Sequence, residues 1–121
     1  MADPSLRGLR ILVIEDEYLL ANALEGRLQD LGCEVLGPVG SLDEALALIR
    51  SEAPFDGAVV DINLGRAMAY PAADMLMGHG IPFLFTTGYD DSMIPDRFGS
   101  ILRLKKPFDI GRIVQALGRA P

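Results

Sequence analysis

Two patterns of apolar residues alternate along the chain. Short runs such as residues 11–14 and 83–85 are apolar without interruption, which is typical of strands buried on both faces. Between such runs, apolar residues recur every three or four positions, as they do in amphipathic helices. Strands that alternate with helices predict a parallel sheet built from βαβ units. We predict five strands, at about residues 9–14, 33–39, 58–60, 81–86 and 101–104.

Four or five helices are expected between and after these strands. The first should begin at about Glu17 and end at Gly32, because glycine commonly terminates helices. Its predicted core face comprises Leu20, Leu24, Leu28 and Leu31. The second should begin with a capping box, in which Ser41 caps the helix and Glu44 reaches back to it. Asp109 should cap the last helix.

Proline positions refine this order. Pro38 has no N–H to donate to a ladder, so the second strand should lie at an edge of the sheet. Pro71 is best tolerated at the start of a helix, so residues 64–70 should form a loop that precedes the third helix. Pro95 interrupts residues 88–99, and a helix there should therefore be short, irregular or mobile.

Composition limits the classes of function. The chain has 121 residues, 50% of them hydrophobic, which suits one domain with its core at about residues 9–118 and no output domain. A net charge of −6 argues against a nucleic-acid surface, which needs clustered lysine and arginine. Cys33 is the single cysteine, and no stretch resembles a signal peptide or a membrane span. We expect a soluble, cytoplasmic protein that binds neither nucleic acid nor membrane.

Side chains that can do chemistry follow the predicted strands. Glu15 and Asp16 follow the first strand, Asp61 the third, Thr87 the fourth and Lys106 the fifth. In a parallel sheet these strand ends lie along one rim, where open α/β sheets bind ligands. Each residue alone has an ordinary explanation, as a solvated turn, a helix cap, a strand end or an exposed lysine. Their common position favours a shared site.

Three acids on one rim indicate a metal ion. Crowded like charges raise each other's pKa and destabilise the fold unless a cation neutralises them. Ligation by oxygen atoms alone favours Mg²⁺, which keeps several waters and leaves a position for a phosphoryl oxygen. His79 is the only histidine and is expected at the surface, so nothing near the acids in sequence argues for zinc.

The acid that ends the third strand has a further interpretation. A carboxylate such as Asp61 can accept a phosphoryl group as an acyl phosphate, provided that charge on the transferring group is neutralised. The hydroxyl of Thr87 could donate a hydrogen bond to a phosphoryl oxygen. Pro107 fixes the backbone direction beside Lys106 and so helps to aim the ammonium group.

Four motifs together resemble the receiver domain of two-component response regulators. They are Ile14-Glu15-Asp16-Glu17, Val60-Asp61-Ile62-Asn63-Leu64, Thr86-Thr87-Gly88-Tyr89 and Lys106-Pro107-Phe108, and the resemblance covers residues 11–117. It implies a flavodoxin-like three-layer α/β sandwich, with a five-stranded parallel sheet in the order 2-1-3-4-5.

The same resemblance implies roles for individual residues. Asp61 would accept phosphate from a phosphohistidine on a sensor histidine kinase or a phosphotransfer protein. The implied Mg²⁺ ligands are Glu15, Asp16, Asp61 and the main-chain carbonyl of Asn63. Lys106 would contact the phosphoryl group. Thr87 would turn toward it on activation, because the hydroxyl residue of the family directly precedes a small residue, here Gly88.

Two departures from the family pattern concern the switch. Typical receivers place an aromatic residue three positions before the active-site lysine, where this chain has Arg103. Residues 87–106 are also short and interrupted by proline, where typical receivers have a regular fourth helix. Residues 83–89 resemble instead the Phe-Ala-Thr-Gly-Tyr variant, often seen as stand-alone receivers associated with kinases of the alphaproteobacteria. We hypothesise that residues 88–99 become ordered around the phosphate, with Tyr89 replacing the missing ring.

The sequence therefore predicts a single-domain response regulator rather than an ordinary enzyme. It would assist its own phosphorylation and dephosphorylation at Asp61, and would switch contacts with a downstream protein or drain phosphate from a kinase. One alternative is an adaptor that keeps the fold but signals without phosphorylation; the intact set of site residues argues against it. Another is a flavin carrier on the same fold, but the acids at residues 15–17 would repel an unneutralised phosphate ester.

Overall fold

A five-stranded parallel sheet forms the centre of the molecule. The computed structural model describes residues 4–51, 54–88 and 94–119. The strands are β1 (Arg10–Ile14), β2 (Glu34–Val39), β3 (Gly57–Asp61), β4 (Phe83–Thr87) and β5 (Arg103–Lys105). Their order is β2-β1-β3-β4-β5, and every neighbouring pair is parallel. This confirms the predicted topology.

Helices connect the strands in the predicted alternation. Within the described ranges they are α1 (Tyr18–Asp30), α2 (Leu42–Arg50), α3 (Tyr70–Gly78) and α4 (Ile110–Leu117), with one 3₁₀ turn at Asp96–Phe98. That turn confirms, for residues 94–99, the prediction of a short and irregular helix. None of the helices in the described part of the chain is long and apolar enough to cross a membrane.

Local sequence signals set where two of the helices begin. Ser41 Oγ accepts a hydrogen bond from the N–H of Glu44 at 3.2 Å and donates one to the Glu44 carboxylate at 3.0 Å. At the start of α4, the Asp109 side chain accepts a hydrogen bond from the N–H of Gly111 at 2.9 Å. Both predicted caps are confirmed, and each satisfies an N–H that the first turn of a helix leaves unpaired.

Alternate residues of the central strands face opposite layers, as the period of a strand requires. Val60 and Phe85 belong to an apolar cluster that includes side chains of α2 and α3. Val59 and Leu84 belong to a second cluster, which includes Leu28 of α1 and residues of α4. These two cores on either side of the sheet confirm the three-layer sandwich.

The edge strand β2 departs from regular pairing. Leu12 pairs with Leu36, but Ile14 pairs with Val39, so the register shifts between them. Gly37 lies in this irregular stretch with a φ of 86°, and a Cβ there would lie 2.8 Å from the backbone nitrogen of Val39. Glycine is therefore required, and the predicted edge position of the strand is confirmed.

The predicted core face of α1 is partly wrong. Leu28 is fully buried and Leu24 is half-buried, but Leu20 and Leu31 are 40% and 36% exposed. The buried stripe runs through Ala21, Leu24 and Leu28, so Leu20 lies on its flank, and Leu31 follows the last residue of α1 as its C-cap. Leucine spacing alone missed the small Ala21. Leu20 lines a cavity of about 170 Å³ between α1 and the start of α4.

The packed part of the chain begins earlier than the predicted core at residues 9–118. Leu6 is 1% exposed and belongs to the second cluster. Ser5 and Arg119 exchange two backbone hydrogen bonds, each of 2.9 Å. Ser5 and Leu6 therefore pack beside the end of α4 and are part of the fold.

The corrected core of α1 yields a test. We expect Leu28→Ala to lower the free energy of unfolding by about 2–5 kcal/mol, because it removes a buried side chain and leaves a cavity. Leu20→Ala, the same substitution on the same helix, should cost less than about 1 kcal/mol, because that side chain is already in contact with water. Urea unfolding followed by circular dichroism measures both values. Equal losses would contradict the observed burial.

Candidate functional site

An open cleft of about 650 Å³ lies at the carboxyl ends of the strands. The residues that line it are Asp16, Glu17, Asp61, Asn63, Gly65, Gly88 and Lys106. They come from four separate stretches of sequence, each of which follows a strand. The cleft therefore lies on the rim where the sequence predicted a site.

A buried ion-pair cluster forms the floor of this cleft. Lys106 Nζ lies 2.7 Å from Glu15 Oε1 and 3.1 Å from Asp61 Oδ2. Glu15 is 7% exposed and Asp61 is 4% exposed, so both carboxylates are largely removed from water. A single ammonium group is thus shared by two buried acids.

The backbone at the strand ends holds these three side chains in place. The N–H of Glu15, just after β1, donates to the carbonyl of Val39 at 2.9 Å. Asp61 is the last residue of β3 and pairs with Thr86 of β4. The N–H of Lys106 donates to the carbonyl of Thr87 at 2.8 Å. The sheet ladder itself therefore sets the spacing of the charged groups.

Asp16 adds a third acid at the mouth of the cleft. Ligand atoms of Glu15, Asp16 and Asp61 all lie within 4.8 Å of one another, and Asp16 is exposed. These donors are all carboxylate oxygens, which suit a hard divalent cation rather than a soft metal. The arrangement therefore fits a metal ion by its donor chemistry.

The loop after β3 wraps around the carboxylate of Asp61. The N–H of Asn63 donates to Asp61 Oδ1 at 3.2 Å, and the N–H of Gly65 donates to Asn63 Oδ1 at 3.0 Å. Gly65 has a φ of 79°, and a Cβ there would lie 3.4 Å from Asp16 Oδ2. Glycine allows this turn to pass close to the acids. Asp61 thus has both carboxylate oxygens engaged, one by this loop and one by Lys106.

The two buried acids differ in their readiness to lose a proton. Burial and the neighbouring carboxylate of Glu15 raise the pKa of Asp61 to about 7, although Lys106 acts to lower it. Burial also acts to raise the pKa of Glu15, but hydrogen bonds with Asp61 and Lys106 outweigh it and hold that pKa below its ordinary value. In this arrangement Glu15 is the ionised partner of Lys106, and Asp61 titrates near neutral pH.

A cluster of aromatic rings lies beside the end of β4. Tyr70 stacks on Phe98 with ring centroids 5.5 Å apart, and both rings meet Phe85 edge-on at 6.3 and 5.4 Å. Phe85 is two residues before Thr87 on the same strand, so the two side chains face the same layer. Thr87 is itself buried. The rings connect the start of α3, strand β4 and the 3₁₀ turn.

Arg97 fastens the same turn to α3. Its guanidinium group donates to both carboxylate oxygens of Asp74, at 2.8 and 3.0 Å, and lies 4.5 Å above the Phe98 ring. Arg103 occupies the position at which typical receivers place an aromatic switch residue, and its side chain is exposed. Tyr89, the predicted substitute ring, lies outside the described residues.

The structure brings most of the predicted site residues to one place. Asp16, Asp61, Asn63 and Lys106 line the cleft, Glu15 is paired with Lys106 beside it, and Thr87 lies directly before the cleft residue Gly88. Their chemical roles remain predictions. Histidine 79 is exposed at the end of α3, as expected. Sequence reasoning missed Glu17 as a lining residue, although it follows the acid pair directly, and Gly65, for which no sequence signal pointed to the site.

Comparisons with known proteins identify the family. No protein-family model matches the chain. The solution structure of SdrG from Sphingomonas melonis is 35% identical, with a TM-score of 0.78, and the match covers 90% of this chain and 92% of that one. A response regulator receiver protein from Sinorhizobium medicae is 26% identical, with a TM-score of 0.76 and coverage of 93% and 94%. This chain belongs to the response regulator receiver family. The receiver is thus a protein of two-component signalling.

Two further matches are a solved response regulator and a transcriptional regulatory protein. A response regulator from Burkholderia pseudomallei, solved with a phosphorylated aspartic acid and a calcium ion, is 27% identical over 90% of this chain and 66% of that one, with a TM-score of 0.75. The transcriptional regulatory protein PdtaR from Mycobacterium tuberculosis is 29% identical over 89% of this chain. The receiver spans 54% of the length of PdtaR, about half.

The raised pKa of Asp61 makes a prediction about stability in the absence of metal. The folded-state pKa rises from 3.8 to about 7, so between these values the folded protein binds a proton that the unfolded chain has lost. The free energy of unfolding of the wild type should therefore fall as pH rises from about 4 to about 7. Asp61→Asn carries no such proton and should be more stable, by on the order of 2 kcal/mol above neutral pH.

Urea unfolding with a chelator present, at several pH values, measures this difference. The advantage of Asp61→Asn should grow between about pH 4 and pH 7 and then stay constant. Asp30→Asn makes the same change at an exposed position of α1 and serves as the control. A difference that does not vary with pH, or that varies equally in the control, would contradict the raised pKa.

Proposed function

We propose that this receiver accepts a phosphoryl group on Asp61 in a reaction that depends on Mg²⁺, with a phosphohistidine of a sensor kinase or phosphotransfer protein as the donor. One observation carries the proposal: Lys106 Nζ lies within 3.1 Å of the Asp61 carboxylate, beside two further acids whose ligand atoms are within 4.8 Å. A nucleophile, a fixed cation and a set of metal ligands thus meet at the open end of the sheet.

In the proposed reaction, a carboxylate oxygen of Asp61 attacks phosphorus and forms an acyl phosphate. The P–N bond to the donor imidazole breaks at the same time, and the imidazole leaves with the electron pair and takes up a proton. Lys106 would stabilise charge on the phosphoryl oxygens, because its ammonium group is already beside the attacking carboxylate. Burial strengthens this attraction, since the surroundings are less polar than water.

Glu15, Asp16, Asp61 and the carbonyl of Asn63 would hold Mg²⁺. When bound, the ion neutralises the acids and the charge of the incoming phosphoryl group. The phosphorylated aspartic acid and the calcium ion of the Burkholderia pseudomallei response regulator support this assignment, because that protein shares the fold and is 27% identical. Thr87 would donate its hydroxyl to a phosphoryl oxygen.

We also propose that the receiver acts through its own contacts with other proteins. Phosphorylation would then alter a surface that a downstream protein reads, or would remove phosphate from a kinase. The rival function is an adaptor that never takes up phosphate. The raised pKa of Asp61 and the strained crowding of acids favour the phosphoacceptor, because an adaptor gains nothing from a destabilising cluster.

Residues 88–99 are proposed to carry the signal in place of the missing aromatic switch. Support comes from the ring cluster, because Phe98 of this segment packs against Phe85, which lies two residues before Thr87. A movement of Thr87 toward the phosphoryl group would therefore displace Phe85 and, through it, the Phe98 ring of this segment. Arg97 and Asp74 would limit how far the turn can move.

The phosphoacceptor proposal is tested by incubation with Mg²⁺ and acetyl phosphate, followed by intact mass spectrometry. We expect one added phosphoryl group in the wild type, and none with Asp61→Asn or with a chelator. Lys106→Met should react at least about tenfold more slowly, because it removes the cation beside the attacking carboxylate. Lys105→Met, the same change at the exposed neighbouring position, is the control and should react normally.

If acetyl phosphate fails, beryllofluoride with Mg²⁺ is the second probe, because it mimics a phosphoryl group without a transfer step. Chemical-shift changes at residues 61–65 and 106 would then support the site. Failure to take up either probe would favour the adaptor. Phosphorylation that persists in Asp61→Asn would place the acceptor elsewhere.

The switch proposal is tested by amide hydrogen exchange with and without beryllofluoride. We expect protection of residues 94–101 to rise by at least about tenfold when the site is filled, because an ordered segment opens less often. Arg97→Gln should weaken that rise without preventing beryllofluoride binding. Phe98→Ala should abolish it, whereas Phe55→Ala, at a half-buried position outside the ring cluster, should not. Equal protection in both states would contradict the proposal.

A further inference from the structure

Glu17 lines the cleft but has no role in the proposed reaction. It is the N-cap residue of α1, yet its side chain makes no capping hydrogen bond. Its N–H donates to Glu15 Oε2 at 3.1 Å, which fixes its backbone beside the buried acids. Glu17 is exposed and faces the same open space as Asp61 and Lys106. Its backbone is therefore fixed at the entrance of the cleft, and its carboxylate is not used for helix capping.

The charges around the cleft are unbalanced. Its lining residues include three acids, Asp16, Glu17 and Asp61, whereas Lys106 is the one cation among them in the described part of the chain. That ammonium is already paired with Glu15 and Asp61. No described lysine or arginine forms a salt bridge with Glu17. An anion that approaches the site therefore meets an uncompensated negative charge.

We propose that Glu17 is a specificity-determining residue that slows phosphorylation by small, doubly charged phosphodonors relative to a protein phosphohistidine. The inference rests on the proposed phosphoacceptor function and adds the class of donor. A free acyl phosphate is a dianion that must diffuse past Glu17 without other contacts. A phosphohistidine is positioned by contacts of its own protein, so its approach depends less on the charge at the entrance.

The expected size of the effect follows from Coulomb's law. One charge acting on a dianion across about 10 Å of water changes the local donor concentration, and hence the rate, by about threefold to fivefold at low salt. A monoanionic donor should feel about half of that free energy, which corresponds to about a twofold effect. Both effects should nearly disappear at about 1 M salt, where the screening length is about 3 Å.

The test compares two donors on the full chain with saturating Mg²⁺ at neutral pH. Acetyl phosphate is the dianion, and it transfers its phosphoryl group to Asp61 with release of acetate. Phosphoramidate carries a protonated nitrogen and is a monoanion, and it releases ammonia. The variants are Glu17→Gln, which removes the charge, and Glu17→Lys, which reverses it. Glu25→Gln makes the same neutral change two turns further along α1 and is the matched control.

We expect acetyl phosphate to react about threefold to fivefold faster with Glu17→Gln and faster again with Glu17→Lys. Phosphoramidate should gain less in each case, and Glu25→Gln should match the wild type with both donors. The gain should shrink as salt rises. Calorimetric titration with Mg²⁺ alone is a separate measurement. It checks that Mg²⁺ remains saturating in every variant.

The outcomes separate this inference from the function on which it rests. If the wild type takes up phosphate but Glu17→Gln gains equally with both donors, or gains nothing, Glu17 does not select donors by charge. An identical gain in Glu25→Gln would assign the effect to net charge and overturn the role of Glu17. If the wild type takes up neither phosphate nor beryllofluoride, the phosphoacceptor function itself is wrong.

Discussion

The pairing of one ammonium group with two buried carboxylates is the constraint on which the site depends. Lys106 reaches both Glu15 and Asp61 only because strands β1, β3 and β5 end at the same rim, with β4 between the last two. Without Lys106, two acids that are each less than 10% exposed would face each other unpaired. Burial of an unpaired charge costs several kcal/mol, so the acids would have to bind protons instead. Lys106 thus reduces the repulsion between the acids enough for the protein to fold, while the acids keep enough negative charge to attract a cation.

The loop next to this cluster is fixed by hydrogen bonds that lead to the Asp61 carboxylate. The loop after β3 donates two hydrogen bonds in succession, from Asn63 to Asp61 and from Gly65 to Asn63. The first of these bonds holds one carboxylate oxygen of Asp61, and Lys106 holds the other. A nucleophile fixed at both oxygens loses little further freedom when a phosphoryl group arrives, which favours reaction. Fold and chemistry are therefore linked through a few hydrogen bonds at the ends of strands.

The sequence predicted the topology and the convergence of charged groups because both follow from periodicity and from the geometry of parallel sheets. It could not predict which of the acids Lys106 pairs with most closely. That Lys106 pairs with Glu15 more closely than with Asp61 depends on the register of β5, a strand of three residues whose predicted position was two residues too early at its start. The burial of Leu20 and Leu31 was also mispredicted. Leucine spacing alone could not show that the buried stripe of α1 passes through the small residue Ala21 instead of Leu20.

The aromatic cluster bears on how a receiver can work with an arginine at the usual switch position. Phe85 is fully buried between Tyr70 and Phe98, and contacts of this kind contribute about 0.5–1.5 kcal/mol per ring pair. Protein cores contain few voids, so a shift at Thr87 that moved Phe85 would require the rings packed on Phe85 to move with it. In the proposed switch, three rings from α3, β4 and the 3₁₀ turn would take the place of the missing aromatic residue at position 103. In this molecule the coupling would act through packing between elements and would not need an exposed side chain on β5.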